Sequence, residues 1–232
     1  MEVDYIIIGA GSAGCVLANR LSADGKSRVC LLEAGGEDRS PWIHIPVGYV
    51  KTMVDPSVNW LFETKPHEAT GNRNIPVPRG KVMGGSSAIN GMLYVRGQAR
   101  DYDTWAQQGC AGWSYSDVLP YFKRSENREQ GGDDYHGVGG PLNVAPLRES
   151  YPILDQMIEA GGELGYPMHH DYNGASQAGF SYYQVTQKNG RRCSAKTAFI
   201  NPIRKQRKNL RIETHAFVAK VIVENGRATG VI

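Results

Sequence analysis

Three glycines spaced G-x-G-x-x-G, Gly9, Gly11 and Gly14, stand in the stretch DYIIIGAGSAGCVLANRL at residues 4–21. A carboxylate, Glu33, follows about 20 residues after the last of them. Residues of these types in this order suit one task, holding the pyrophosphate and ribose of a dinucleotide. Gly9 allows a tight turn, Gly11 removes a side chain that would block the pyrophosphate, and Gly14 lets a helix approach the preceding strand. Glu33 is placed to accept from a ribose 2′-OH, and its charge repels a 2′-phosphate. A second cluster lies in PRGKVMGGSSAINGMLYVRGQARDYD, residues 78–103, where Gly84 and Gly85 precede Ser86 and Ser87. Both serines are good N-cap types for a helix whose first turn is residues 88–90. Backbone donors and a helix start aimed at a flavin would favour the negative charge that reduction puts around N1 and C2=O; the other reading of this segment taken by itself is a polar surface loop ending in a capped helix.

The elements that must position these groups are legible around them. Residues 3–8 are a short, β-branched run bounded by glycine, which predicts a strand buried on both faces. A helical pattern follows through Val16, Leu17 and Leu21, and the next strand, RVCLL at 28–32, delivers Glu33. Strand, glycine turn, helix and strand form the parallel unit that the fingerprint requires. The helix N-terminus then presents unpaired N–H groups and its positive dipole end to the phosphates. The fingerprint does not separate FAD from NAD, because both carry the same ADP moiety.

Further along, residues 42–65 mix aromatic and apolar types without clean periodicity, and Trp60 with Asn59 either packs or touches the cofactor. Ser114 and Asp117 mark a helix start whose aromatics, over 113–123, are expected in the core. Residues 141–188 read as loop-rich around one helix at 153–164. His169 and His170 lack a third ligand at suitable spacing, so no metal site is assigned. Tyr182, Tyr183 and Gln184 read as a packed strand, with a substrate wall as the alternative. Ser194 caps a helix predicted to end near Gln206, where Arg204, Lys205, Arg207 and Lys208 form a solvated basic face. Strands are predicted at 215–223 and 228–232, joined by the hairpin signal Asn225-Gly226.

A chain of 232 residues with 41% hydrophobic content can bury its own core without disulfides or metals. The net charge of +3 and 21% charged residues give no footprint for nucleic acid or a membrane surface. The apolar run after Met1 is too short for a signal peptide or a membrane span. Cys15, Cys30, Cys110 and Cys193 are scattered, which excludes CxxC metal spacing and implies a reducing, cytoplasmic setting.

The segments GAGSAG, LLEAGG and RGKVMGGSSAINGMLYVRGQARDYDTW, with GRRCSAKTAFINPIRKQRKNLRIETHAFVAKVIVENGRATGV downstream, resemble the glucose-methanol-choline (GMC) oxidoreductases over essentially the whole chain. Among them the similarity is nearest to bacterial choline-dehydrogenase-like enzymes. The resemblance implies an α/β fold: a Rossmann-like FAD-binding domain with the start of an α+β substrate-binding domain. It divides the chain into an FAD-binding part at 1–140, the start of a substrate-binding region at 141–190 and a return to the FAD-binding domain at 191–232. Gly9, Gly11, Ser12, Ala13, Gly14, Glu33 and Ala34 would hold the ADP half of FAD. Gly84, Gly85, Ser86, Asn90, Gly91 and Met92 would line the pyrophosphate and isoalloxazine, and the Val218 backbone would meet the adenine. Residues 42–65 would lie near the flavin and the subunit surface. Some members tether the flavin through a histidine where this chain has Ile89, so the cofactor is expected to be non-covalent.

The implied reaction is oxidation of a primary alcohol to an aldehyde, with electrons leaving to oxygen, a quinone or another acceptor. The family's catalytic histidine lies in a C-terminal segment not represented here, so no catalytic residue is assigned and the chain is expected to be an N-terminal portion that works with its C-terminal half. Two other readings stay open at this stage: a non-catalytic dinucleotide-binding or assembly module, and an NAD-linked Rossmann enzyme.

Overall fold

A computed structural model describes residues 2–169 and 171–232. It divides into two compact units, residues 1–91 with 190–232, and residues 92–189. The chain passes between the two units at 91/92 and at 189/190.

The first unit is built on a three-stranded parallel sheet ordered β1 (Tyr5–Ile8), β2 (Val29–Leu32), β3 (Leu210–Glu213). β2 is central, pairing Tyr5 through Ile8 on one side and Leu210 through Glu213 on the other. Central placement explains why Val29, Cys30 and Leu31 are buried. β1 departs from the expectation of burial on both faces: Ile7 is buried, but Ile6 and Ile8 are 40% and 52% exposed. It is an edge strand, and helix α1 (Ser12–Leu21) covers the sheet with Gly14, Cys15, Ala18 and Asn19. Asn19 Nδ2 donates to the Phe199 carbonyl at 2.7 Å, pinning α1 to the returning chain.

That returning chain differs from the predicted long helix. It forms one π-helical segment, Lys196–Ile200, followed by turns, with the Ser194 hydroxyl accepting from Thr197 N–H. Lys196 is buried against Asp38 at 2.6 Å and Glu37 at 3.4 Å, and Arg204 pairs with Glu37 at 2.7 Å. Part of the predicted basic face is thus a structural tie. β3 was not foreseen, and the predicted strand 215–223 is a strand only from Val221. The closing hairpin pairs Val221–Glu224 with Arg227–Val231 through Asn225 and Gly226, whose φ values of 50° and 76° make the expected primed turn.

The second unit contains α2 (Ala99–Gln107), α3 (Tyr115–Ser125) and α4 (Pro152–Glu163), the last agreeing with expectation. Ser114 and Asp117 form a reciprocal capping box that starts α3. The aromatics of residues 113–123 are not core, however: Trp113 and Tyr121 are 52% and 61% exposed. α2 and α3 bury little and meet through edge-to-face rings, with Tyr102–Phe122 centroids 5.8 Å apart and Trp105 5.9 Å from Trp113, just before α3. Gln184–Val185 is a short buried strand paired with Leu93–Tyr94, but Tyr182 and Tyr183 precede it: the Tyr182 hydroxyl donates to Asp155 at 2.7 Å, and Tyr183 is exposed beside Tyr172, so the packed-strand reading holds for Gln184 and not for the two tyrosines. His169 bonds to the Ala178 carbonyl, while His170 lies outside the described residues.

Candidate functional site

The site in the first unit starts from two glycine turns placed back to back. Gly11 caps α1 and leaves the N–H groups of its first turn, from Ser12 onward, without intrahelical acceptors. Gly14 has to be glycine, because a Cβ there would lie 1.9 Å from the Gly9 carbonyl oxygen. The second turn, Gly85–Ala88, is a single 3₁₀ turn rather than the helix start predicted from Ser86 and Ser87. A macrodipole therefore contributes at α1 and not at this turn. What the second turn supplies is closeness: a Cβ on Gly85 would sit 2.6 Å from Gly11 Cα. The Gly84 N–H donates to the Ala10 carbonyl at 2.8 Å, stitching the two turns together.

Glu33 locks this arrangement. Its buried carboxylate accepts from Ala10 N–H at 2.8 Å and from Gly35 N–H at 2.9 Å, one bond to each oxygen. Each oxygen keeps a second lone pair, and Glu33 also lines the adjoining cleft, so the ribose role and the turn-holding role are compatible. Cys15 sits behind the turn, its thiol donating to the Ala10 carbonyl; burial pushes its pKa to about 12, which makes it inert.

The two turns open onto a cleft of about 370 Å³ within the first unit. Gly9, Gly11, Ser12 and Ala34 line it from the β1–α1 side. Gly85 and Ser86 line it from the second turn, and Val218 from the chain after β3. The Ala216 N–H bonds to the Glu33 carbonyl at 2.9 Å, which holds that last stretch in place although it is not a strand. Eight of the residues expected at the cofactor are thereby brought together. Ala13 is exposed on α1, Gly14 and Gly84 are buried behind the turns, and Asn90 and Gly91 are exposed just beyond them. Met92 belongs to the second unit, where its side chain is buried with Ala145 and Val185.

Seven other residues line the cleft, among them Trp60, whose cofactor contact the sequence left open against simple packing, and Arg79 and Phe217, which it did not single out. Trp60 stands over the cleft, stacked on Phe62 at 5.7 Å and tilted against Phe217 at 6.1 Å, with Lys81 Nζ 4.8 Å from its ring centre. Phe217 and Arg79 complete that wall. The available signal was an aromatic in an aperiodic stretch, which also describes ordinary packing. Ile89 points the other way, 2% exposed in a cluster with Ile43, Val58, Val82 and Ala88.

A different constellation lies in the second unit. Glu126 and Arg96 form a fully buried ion pair at 2.9 Å, and His136 donates between Glu126, at 3.0 Å, and Asp171, at 2.7 Å. Arg128 pairs with Asp133 and reaches Asp171. Asp133, His136 and Asp171 are close enough to share a metal ion, but both His136 nitrogens face carboxylates and Arg128 already supplies the cation. Burial pulls the His136 pKa down, yet its bonds to Asp171 and Glu126 outweigh that and hold it at about 9. With His136 charged, Arg96, Arg128 and His136 balance Glu126, Asp133 and Asp171, and the cluster reads as structural.

A Rossmann-like sheet with a glycine turn, a following carboxylate and a second glycine turn against the first defines a dinucleotide-binding α/β protein. The chain belongs to the GMC oxidoreductase family, whose model matches residues 3–232. It is 47% identical over 231 residues to an oxygen-dependent choline dehydrogenase of Sinorhizobium fredii, covering all of this chain and 42% of that protein. A protein of the same description from Rhizobium rhizogenes is 46% identical over the same span. Among solved structures, pyridoxine 4-oxidase from Mesorbium loti superposes with a TM-score of 0.94 at 35% identity, covering 99% of this chain and 45% of that one. An FAD-dependent oxidoreductase from Chaetomium thermophilum gives 0.90 at 28% identity, over 99% and 41%. The chain thus spans about two fifths of the length of the curated relatives it matches. FAD, the cofactor this family implies, fits the residues present: Gly11 and Gly85 line the cleft without side chains, and a Cβ on Gly85 would run into Gly11 and part the two turns.

Proposed function

We propose that this chain is the FAD-binding part of a GMC alcohol oxidoreductase that oxidises a primary alcohol to an aldehyde. The observation that carries the reading is the contact of Gly11 with Gly85, which places two separate fingerprints on one cleft beside Glu33. An NAD-linked enzyme would use the first fingerprint alone and gives no reason for the second turn. A bound flavin would supply the two-electron redox chemistry of the alcohol oxidation, with oxygen, a quinone or another acceptor as the final electron sink.

The chain's own residues bind and orient. The first-turn N–H groups of α1 hold a phosphate by hydrogen bonding and dipole. Glu33 fixes the Ala10 and Gly35 backbone and offers its outer lone pairs to the ribose. Trp60 and Phe217 wall the cleft and would exclude water from a bound nucleotide. Ile89, turned into the core, leaves no tether, so the cofactor is held without a covalent bond. The FAD-binding domain is best bounded as the first compact unit, with 92–189 opening the substrate-binding part. The chain matches 42% of the choline dehydrogenase relative's length, and on this reading the proton acceptor comes from outside the matched span. The described residues contain no helix long and apolar enough to cross a membrane. Four free cysteines, three of them buried, fit a reducing, cytoplasmic setting.

The test is the visible spectrum of the purified protein before and after acid precipitation. Flavin bands that move entirely to the supernatant are expected. Flavin retained by the precipitate refutes the non-covalent assignment, and a folded protein that takes up no FAD refutes the reading as a whole.

A further inference from the structure

Arg192 is the buried charge in the first unit that the binding scheme leaves unused. It is 3% exposed and lies against the Gly85–Ala88 turn from the side of the returning chain. Its Nε donates to the Ile43 carbonyl at 2.7 Å, and its Nη1 donates to the Ser87 carbonyl at 3.1 Å and to Asn90 Oδ1 at 2.8 Å. All three acceptors are neutral. Its Nη2 is buried without a hydrogen-bond partner, and no carboxylate among the described residues pairs with it. Burial alone pulls its pKa down to about 10, with no anion offsetting the cost, so it remains a cation at neutral pH. Buried guanidinium groups are ordinarily paired. Lys196, the other buried cation of this unit, has both Asp38 and Glu37.

The cation is therefore held in low dielectric behind the residues that, on the reading of the cleft as an FAD site, meet the flavin. We infer that Arg192 is a positioning residue for the flavin end of the cofactor, bracing the Ser87–Asn90 turn from behind and lending it a buried positive charge that favours the reduced, anionic flavin. A fixed charge of this kind acts through its field, which low dielectric leaves poorly screened. It needs no contact with the cofactor.

The test is the flavin midpoint potential of the protein at its natural length, measured against reference dyes for wild type, R192Q and R192K. Glutamine keeps hydrogen-bonding capacity without charge, whereas lysine keeps the charge. R192Q is expected to lower the reduced-to-oxidised ratio at least tenfold, about 30 mV for a two-electron couple, and R192K to stay within threefold of wild type at pH 6. Lysine in this buried position loses its proton at lower pH than arginine, so the R192K potential should drop away from wild type by at least tenfold as pH rises to 9. That second arm does not depend on R192Q folding. A flavin-loaded R192Q with unchanged potential overturns the inference alone, as does an R192K that falls as far as R192Q at pH 6. A wild-type protein that binds no flavin overturns the reading of the site and the inference with it.

Discussion

Replacing Gly85 by alanine tests the arrangement on which the site depends. Gly85 has φ +55°, a left-handed conformation that costs an L-residue about 1–2 kcal/mol. The added Cβ would lie 2.6 Å from Gly11 Cα, and because that atom is backbone it cannot rotate aside. Relief requires the two turns to separate, an overpacking cost of about 1–3 kcal/mol. Together these predict a loss of about 2–5 kcal/mol, a large share of the ~5–15 kcal/mol of a typical fold. The Gly84 N–H to Ala10 carbonyl bond stretches in the same movement, so FAD affinity should fall more than tenfold. Denaturant titration followed by circular dichroism gives the first quantity, and FAD titration of the apoprotein gives the second. Gly230→Ala is the control: its Cβ meets only Ile222 Cδ1 at 3.7 Å, so its effect should stay within ~0.5 kcal/mol. A Gly85→Ala protein as stable as that control, with unchanged FAD affinity, would show that the two turns are not held in the contact described.

Glu33→Gln replaces an acceptor-only group that takes two backbone N–H bonds with one that must turn an NH₂ toward a donor; a loss of about 1.5–3 kcal/mol and weaker FAD binding are expected, and a loss under ~0.5 kcal/mol on denaturant titration would rule out the locking role. His136 has its folded pKa raised from 6.5 to about 9, so the stability it contributes is complete below pH ~6.5 and is lost as pH rises through 9. That window is worth about 3 kcal/mol; denaturation at pH 6.5 and 9.5 should show it in wild type and not in His136→Gln, and parallel profiles would refute it.

What was legible in the sequence was local. The G-x-G-x-x-G turn, β2 running up to Glu33, the Ser114 capping box, α4 and the Asn225-Gly226 turn each announce themselves within a few residues, through backbone sterics or a short-range bond. The failures share a different cause. Residues 113–123 carry an apolar helical pattern, yet their rings pack on α2 at the surface, which periodicity cannot distinguish from burial. β3 carries a legible signal, since LRIE alternates apolar and charged residues, but the run is only four residues long; what makes it a strand is its pairing with β2, about 180 residues earlier. Ser86 and Ser87 are sound N-cap types, but the turn they begin ends after four residues, since its hydrogen bonds go to Gly80 and the returning chain. Trp60 and Phe217 reach the cleft only through tertiary folding, so no spacing rule marks them.

The two buried charge systems separate scaffold from site on physical grounds. In the second unit three cations face three carboxylates, and removing a partner from such a cluster leaves a buried charge exposed to its full desolvation cost. The charges of this cluster cancel, although Arg128 Nε is left without a hydrogen-bond partner, and the pairs hold residues 96, 126, 136 and 171 in one arrangement. In the first unit Lys196 is closed in the same manner by Asp38 and Glu37, but Arg192 is not. Burying an unpaired cation is among the costlier things a fold can do. Its persistence beside a turn that also carries Gly84 and Gly85 is accounted for if the missing negative charge arrives with the cofactor. By that criterion the functional part of this chain is identified by where its electrostatics stay open, and the depth of a cleft is secondary.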